Sequence, residues 1–265
     1  MPFLKNGEPH RDGVRNEKNT FTRLKDNPDC VQKLGFGRHY ETDLQFTHQG
    51  GTKTVDDIQI KNQKGEVVGG ISAKNHKKKS STCDFMNTAQ IENSLPASVV
   101  TPNREKLSEI RANHKGDATQ VEPVRKDIKK IQSGIWSHFS EEKIRELLKT
   151  INERNPSWIL IEDVRNKRML NYMHSQLTEL AENPYNDENT YSLGGKAAGS
   201  RDILCNGKKT QMKLRFGLNN GVSALLGVGK GSNRNSSWTI KVQWNVEKFI
   251  NTTQPYGEYS YESSE

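Results

Sequence analysis

The clearest pattern in the chain is an alternation of apolar and polar residues between residues 55 and 79, on both sides of a short polar segment. The first run reads VDDIQI and the second VVGGISAKNHKKK, with Gly65 in the segment KNQKGE between them. This period of two, broken by a glycine-containing turn, predicts a β-hairpin. Because successive side chains of a strand point to opposite faces, Asp57 is predicted to face away from its neighbour Asp56. Lys74 lies near the end of the second strand, so the hairpin can bring a carboxylate and an ammonium group together.

A helical pattern precedes this hairpin. The stretch DGVRNEKNTFTRLKDNP, which starts at residue 12, predicts a helix that ends at Pro28, with Phe21 and Leu24 on one stripe. Glu17 falls within the same stripe. A carboxylate on an inward face is unfavourable unless it is paired or bound to a metal. The alternative is that Glu17 lies at the edge of the stripe and reaches solvent.

Three further elements are predicted in the middle of the chain. Ser140 is in position to cap a helix, residues 158–161 (WILI) predict a buried strand, and the stretch that follows predicts a second helix. The apolar stripes of these two helices comprise Ile144, Leu147, Leu148 and Ile151 in the first and Leu170, Met173, Leu177 and Leu180 in the second.

The last third of the chain predicts β-strands. Residues 211–216 (QMKLRF) and 238–244 (WTIKVQW) each alternate between apolar and polar side chains, which is typical of a strand with one buried face. Between them lies GVGKGSNRNSS, residues 227–237, rich in glycine, amide and cationic groups. Arginine and lysine suit guanine and asparagine suits adenine, so this loop is predicted to contact bases, with an ordinary long hairpin loop as the alternative. The side chains predicted to make these contacts are Lys230, Asn233 and Arg234.

Helices and strands are therefore mixed along the chain. This mixture predicts an α/β (α+β) fold, in which a mixed β-sheet is flanked by helices and followed by a β-rich C-terminal part. We expect two regions, 1–135 and 136–265, which form one compact unit with two lobes.

The amino-acid composition indicates a class of binding partner. Lysine and arginine total 40 against 32 for aspartate and glutamate, the formal net charge is +8 and the sequence pI is about 9.3. A basic balance points to a polyanion, most often a nucleic acid. A soluble basic protein with scattered lysines would have the same balance.

Other features of the sequence indicate the cellular compartment in which the protein is expected. No apolar run approaches the ~20 residues that a membrane-spanning helix needs, and the N-terminus has no signal-peptide core. The cysteines Cys30, Cys83 and Cys205 are widely separated and lack CxxC spacing. We therefore expect free thiols in a cytoplasmic protein without a membrane partner.

The predicted hairpin has the chemistry of a metal-dependent phosphodiesterase. Its aspartate can hold a divalent cation, the cation lowers the pKa of a bound water, and Lys74 can steady the attacking water or the phosphate charge. The run Lys77, Lys78 and Lys79 follows directly. Such a run is usually a solvated face, but beside a phosphodiesterase site we expect it to contact phosphate. The seven histidines are scattered, which disfavours a histidine-based nuclease.

Asp57, followed after fourteen residues by Ser72-Ala73-Lys74, resembles the signature of the PD-(D/E)xK nucleases. Three longer stretches, RDGVRNEKNTFTRL, FSEEKIRELLKTINERNPSWILIEDV and WTIKVQWNVEKFI, resemble in the same order the small monomeric type II restriction endonucleases of the MspI-like group. The motifs are most similar to those of a GCGC-cutting Haemophilus member. The resemblance covers most of the chain except residues 90–135.

The resemblance implies a PD-(D/E)xK nuclease core in region 1–135 and a DNA-recognition part in region 136–265. It implies a monomer that cuts double-stranded DNA at a short, palindromic, G/C-containing site with Mg²⁺, or with Mn²⁺ or Ca²⁺ in crystals, and leaves 5′-phosphate ends. A cognate DNA methyltransferase is expected in the host but not as a physical partner.

The resemblance also implies roles for individual residues. Asp57 would bind the metal together with the Ala73 carbonyl and Glu17, and Lys74 would be the catalytic lysine. Ser72 stands where the relative has glutamine. A protein of another class remains possible, a non-catalytic basic DNA-binding protein in which Ser72 marks a decayed nuclease site.

Overall fold

The computed structural model describes residues 9–49, 56–77, 82–84, 95–153, 157–174, 188–229 and 236–261. In these ranges the protein is mixed α/β, as predicted. In chain order the helices are α1 (Pro9–Asp26), α2 (Pro28–Lys33), α3 (Phe36–Tyr40), α4 (Ala97–His114), α5 (Val121–Ile135), α6 (Glu141–Glu153), α7 (Gly221–Leu225) and α8 (Val246–Thr252). The strands are β1 (Gln45–His48), β2 (Ile58–Lys61), β3 (Val67–His76), β4 (Thr82–Asp84), β5 (Trp158–Asp163), β6 (Arg168–Met173), β7 (Tyr191–Gly194), β8 (Ser200–Cys205), β9 (Lys208–Leu218), β10 (Trp238–Asn245) and β11 (Gly257–Ser260).

The chain forms two compact units, each assembled from separate segments. The first comprises residues 1–81, 152–179 and 246–265, and the second comprises residues 82–151 and 180–245. This division differs from the predicted boundary between residues 135 and 136. The reason lies in the pairing of β3 with β5, which is parallel. Parallel neighbours need a long crossover connection, and the first segment of the second unit lies in that connection.

A six-stranded mixed sheet, in the order β1-β2-β3-β5-β6-β11, forms the first unit. The predicted hairpin is confirmed as β2 and β3, which pair antiparallel. Gly65 has a φ of 80° in the turn between them, a conformation that glycine adopts without steric cost. Ile58, Ile60 and Ile71 of these two strands are almost fully buried, as is Trp158 of the neighbouring β5. They fix which face of β2 and β3 points into the core.

Helix α1 matches the predicted N-terminal helix, and Pro28 has a second role. It is the first residue of α2, where its missing N–H costs nothing. The Asn27 side chain accepts a hydrogen bond from Cys30 N at 3.0 Å and caps this helix. The sequence that ends one helix therefore begins the next.

Strand β6 corrects one prediction. Leu170 and Met173 were expected on a helix, but they belong to a strand that pairs with β5 on one side and β11 on the other. Met169 and Leu170 are neighbours in sequence and both are buried, because both faces of β6 are covered. An apolar run of this kind has no period of two, so it resembles a buried helix. Leu177 and Leu180 lie outside the described residues.

The second unit contains a five-stranded sheet in the order β4-β10-β9-β8-β7. The predicted alternation holds in β9, where Met212, Leu214 and Phe216 are buried while Lys213 and Arg215 are exposed. Helix α6 also agrees with its prediction. The Ser140 hydroxyl accepts a hydrogen bond from Lys143 N at 3.4 Å, and Ile144, Leu147 and Leu148 are buried.

The predicted free thiol at Cys30 is confirmed, and its side chain is buried. Burial raises the pKa of the Cys30 thiol to about 12. The Cys205 side chain is buried as well. The Cys83 side chain lies outside the described part. None of the described helices is long and apolar enough to cross a membrane.

A buried histidine makes the first unit sensitive to acid. His174 is 6% exposed, and burial lowers its pKa from 6.5 to about 4. The unfolded chain therefore binds this proton more tightly than the folded one. Its contribution to stability is complete above pH 6.5 and is lost as pH falls towards 4, by up to about 1.4 kcal/mol per pH unit. We measure the free energy of unfolding in urea at pH 7 and at pH 5. Between these two pH values, His174→Gln should lose less of it than the wild type. The exposed His138, changed to Gln, is the control, and an unaltered pH dependence in His174→Gln would refute the assignment.

Candidate active site

Asp57 lies directly before the first regularly paired residue of β2, Ile58. Its backbone amide donates a hydrogen bond to Ile71 O of β3 at 2.9 Å. Its side-chain carboxylate also contacts β3. Its Oδ2 accepts a hydrogen bond from Ala73 N at 2.7 Å and from the Ser72 hydroxyl at 3.3 Å. The structure thus brings three of the predicted site residues together, with the Asp57 carboxylate held at a fixed position beside β3.

Lys74 lies on the same face of β3 as Ser72. The two residues pair in unbroken register with Ile161 and Ile159 of β5, so the alternation of a strand applies. Lys74 is half-buried. Within the described part of the chain it forms no hydrogen bond or ion pair, which leaves its ammonium group able to contact a bound anion.

Asp56 is a second carboxylate at this place, and the sequence reasoning missed it. Gly70 lies opposite Gln59 in the register, and a Cβ built on Gly70 would lie 2.2 Å from Asp56 Oδ1. Asp56 therefore occupies the space that a side chain at Gly70 would fill, on the face of Ser72 and Lys74. The prediction that Asp56 points to the opposite face is wrong, because β2 begins at Ile58 and Asp56 precedes the strand. The signal in the sequence was Gly70, whose missing side chain leaves room for the Asp56 carboxylate.

The two carboxylates interact. Burial raises the pKa of Asp56, and the neighbouring negative charge of Asp57 raises it further. A cation bound by both carboxylates would lower the pKa of Asp56, because a positive charge favours the ionised form of a carboxyl group. A bound cation would therefore favour the ionised form of Asp56.

The donor set suits magnesium. Among the described residues no group of three or more His, Cys, Asp and Glu side chains could hold a metal. Asp56 and Asp57 supply two carboxylates, and Asp57 Oδ1 makes no hydrogen bond in the described ranges. Mg²⁺ accepts one or two carboxylates and fills its shell with phosphate oxygens and water. The Ala73 carbonyl stays a predicted ligand.

Glu17 lies close to a histidine of strand β1. Its Oε2 lies 3.8 Å from His48 Nε2. His48 pairs with Ile58 in β1 and β2, on the face opposite to Lys74. The preceding residue of α1, Asn16, accepts a hydrogen bond from Asn75 at 2.9 Å. The role of Glu17 as a metal ligand stays a prediction.

Of the predicted DNA-binding residues, only Lys77 lies in the described part of the chain, where it is exposed directly after β3. The others lie outside the described residues. They are Lys78, Lys79, Lys230, Asn233 and Arg234.

A buried polar cluster fixes the end of β3. His76 Nδ1 lies 3.3 Å from Asp163 Oδ1, and both side chains are buried. Asp163 Oδ2 accepts hydrogen bonds from Asn166 at 2.7 Å and Arg168 at 3.0 Å. Burial alone would raise the pKa of Asp163, but the hydrogen bonds from Asn166, Arg168 and His76 hold it below its ordinary value. This cluster joins β3 to β5 two residues beyond Lys74 and so restrains the strand that carries it.

The two glycines of β3 allow a matched test of this geometry. Gly70→Ala places a methyl group against the Asp56 carboxylate, whereas a Cβ on Gly69 would lie 2.0 Å from Tyr40 Oη. Tyr40 Oη accepts a hydrogen bond from Trp158 Nε1 at 2.7 Å, beside the core. We expect Gly70→Ala to lower any phosphodiesterase rate by about 10- to 100-fold, since a misplacement of site groups by about 1 Å has effects of this order. Gly69→Ala should lower the melting temperature without this loss of rate.

The readouts are single-turnover cleavage of DNA and thermal unfolding of both variants. If Gly70→Ala cleaves like the wild type after folding normally, the Asp56 carboxylate is not part of the site.

No protein-family model matches the chain, and a search of characterised proteins gives no significant match.

Proposed function

We propose that this protein is a Mg²⁺-dependent endonuclease that hydrolyses phosphodiester bonds of double-stranded DNA. The observation that carries the proposal is the contact of the Asp57 carboxylate with Ala73 N and Ser72, two residues before Lys74. A carboxylate that can hold a metal ion, with a lysine close to it, can serve metal-dependent phosphodiester hydrolysis. The mixed sheet with its flanking helices is compatible with a PD-(D/E)xK core.

Each residue has a distinct role in this proposal. Asp56 and Asp57 hold the cation, and the backbone of Ala73 and the hydroxyl of Ser72 orient Asp57. Lys74 donates a hydrogen bond to a phosphate oxygen, or holds the attacking water in line with the phosphorus. When bound, Mg²⁺ supplies a positive charge for the phosphate and lowers the pKa of a bound water. Water adds to phosphorus and the bond to the 3′ oxygen breaks, which gives a 5′-phosphate and a 3′-hydroxyl.

The proposed binding partner, DNA, is suggested by the net charge of the protein. A net charge of +8 on 265 residues favours a polyanion. We propose that the target is a short, palindromic, G/C-containing sequence, read in part by Lys230, Asn233 and Arg234. The protein would act as a cytoplasmic monomer that cuts one strand at a time.

One observation favours a second candidate. Ser72 offers a hydroxyl where a further acid is usual, and it donates this hydroxyl to Asp57. A site that has lost an acid would leave a basic DNA-binding protein without catalysis.

A supercoiled plasmid with and without Mg²⁺ separates the two candidates. The endonuclease converts the plasmid through a nicked intermediate into discrete fragments when Mg²⁺ is present. A smear of products would indicate a nuclease without sequence preference. Intact plasmid that is nevertheless retarded in a gel would favour the non-catalytic binder.

A further inference from the structure

The second unit contains an open cavity of ≈ 540 Å³ between helix α5 and strand β9. Its lining includes four cationic residues and no acidic residue, together with apolar residues such as Ile128 and Val222. We name this cavity the basic groove. The charged and amide residues that line it are Arg125, Lys129, Gln132, Lys213, Arg215 and Gln243.

We propose that the basic groove binds backbone phosphates of the DNA duplex. This is a contact surface in addition to the candidate active site and to the predicted loop 227–237. The choice of DNA as the polyanion rests on the proposed function, whereas the preference for phosphate rests on the groove itself.

The cations of the groove are largely uncompensated. Arg125 forms an ion pair with Glu122 on its own helix. Lys129, Lys213 and Arg215 form no ion pair within the described ranges. Since these three side chains are exposed, they are already positioned at the surface that a ligand would meet.

Strand pairing concentrates this charge. Arg215 of β9 lies directly opposite Lys241 of β10, and like charges at opposed positions destabilise a sheet. Lys213 lies opposite Asp202 of β8, but the Asp202 carboxylate is 2.9 Å from Lys209 Nζ. An anion in the groove would lie beside Lys213 and Arg215, which form no ion pair within the described ranges, and this favours a phosphate ligand.

The wall of the groove has a defined shape. Gln132 of α5 donates a hydrogen bond from Nε2 to Phe216 O at 2.7 Å. A Cβ built on Gly217 would lie 3.0 Å from the same nitrogen, and one on Gly199 would lie 3.1 Å from it. The absence of side chains at these two positions lets the helix approach the sheet closely. Helix and strand therefore present their cations from a supported surface, as recognition requires.

The spacing of the cations suits a polymer of phosphates. Residues two apart on a strand are about 6.6 Å apart, which is the separation of Lys213 and Arg215 along β9. One strand of DNA carries a phosphate for about every 3.4 Å of helix axis. The two side chains can therefore engage different phosphates of the same strand, and Lys129 approaches from the helix.

Salt-dependent binding tests this proposal without any cleavage. A fluorescent DNA duplex is titrated with protein in EDTA over a series of salt concentrations. The test variant combines Lys213→Gln with Arg215→Gln. The control combines Lys126→Gln with Lys130→Gln on α5, which removes the same charge from positions that do not line the groove. Each phosphate contact contributes about 0.9 to the slope of log affinity against log salt, so the test variant should lose about two from its slope. Its affinity should fall by about tenfold or more at low salt, while the control changes little.

Several results would overturn the proposal. The test and control variants could bind DNA with equal affinity and slope. The test variant could lose binding to inorganic phosphate or to an RNA duplex while its binding to DNA stays unchanged. If the double variant does not fold, Lys129→Gln on the helix wall carries the same test with an expected loss of about one in slope.

Failure of the groove and failure of the nuclease can be told apart. If the wild type cleaves DNA and the variants keep their salt slope, the groove proposal is wrong and the nuclease stands. If the slope falls but wild-type protein never cleaves DNA, the groove stands and the nuclease is wrong. Where both hold, the groove variant should raise the protein concentration needed for half-maximal cleavage and leave the rate at saturation unchanged.

Discussion

Lys74→Ala is expected to lower the single-turnover rate of DNA cleavage by at least about 100- to 1,000-fold, the loss typical when a charge-stabilising donor is removed. DNA affinity should change by less than about tenfold, because one cation among many contributes little to binding a polyanion. The reason for the large effect on rate is position. Lys74 shares a face of β3 with Ser72, whose hydroxyl contacts the Asp57 carboxylate, so its ammonium group can reach the phosphate that is attacked.

Lys64→Ala is the matched control for this experiment. Lys64 lies in the turn of the same hairpin and is exposed, and its loss should leave the rate unchanged. The measurement is the cleavage rate with protein in excess over DNA, together with affinity in EDTA. A Lys74→Ala protein that cuts near the wild-type rate would show that the reaction occurs elsewhere in the chain.

Asp57→Asn should abolish cleavage and weaken Mg²⁺ binding while the fold is kept. The asparagine oxygen can still accept the hydrogen bonds from Ala73 N and Ser72, so the substitution removes charge with little change in shape. A magnesium site depends on carboxylate charge, since its other ligands are neutral oxygens or phosphate. We expect a rate loss of about 1,000-fold or more, on the scale of removing a catalytic electrostatic group. Titration calorimetry with Mg²⁺ gives a readout that does not require activity.

Asp43→Asn is the control, because Asp43 is an exposed carboxylate outside the site. The contradictory result is specific. If Asp57→Asn cleaves DNA while Asp56→Asn does not, then Asp56 is the essential ligand and Asp57 serves only to hold Ala73.

The hairpin could be predicted because its pattern is local. Alternation and a glycine turn identify β2 and β3, and the register then brings Asp57 beside Ser72. Asp56 was missed because it precedes the strand and its place depends on Gly70 lacking a side chain. The position of Asp56 depends on its packing against Gly70 of β3. The alternation of residues within a single strand does not reveal a packing contact of this kind.

Other features depend on long-range pairing. Strand β6 is buried on both faces, so its sequence has no alternation to identify it. The discontinuous units follow from the parallel pairing of β3 with β5, which no local signal reports. The basic groove likewise combines residues of α5 with residues of β9. The exposed Lys213 and Arg215 were visible as alternating positions, but their helical neighbours were not.

The most direct test of the central claim is plasmid cleavage by wild type and Asp57→Asn, purified side by side and added in molar excess over DNA. Cleavage is followed in Mg²⁺ and in EDTA, with Asp43→Asn as a third protein. We expect the wild type and Asp43→Asn to convert the plasmid into the same discrete fragments in Mg²⁺ and to leave it intact in EDTA. Asp57→Asn should leave it intact in both. Equal cleavage by Asp57→Asn, or no cleavage by folded wild-type protein that binds the plasmid, would contradict a metal-dependent endonuclease site at Asp57 and Lys74.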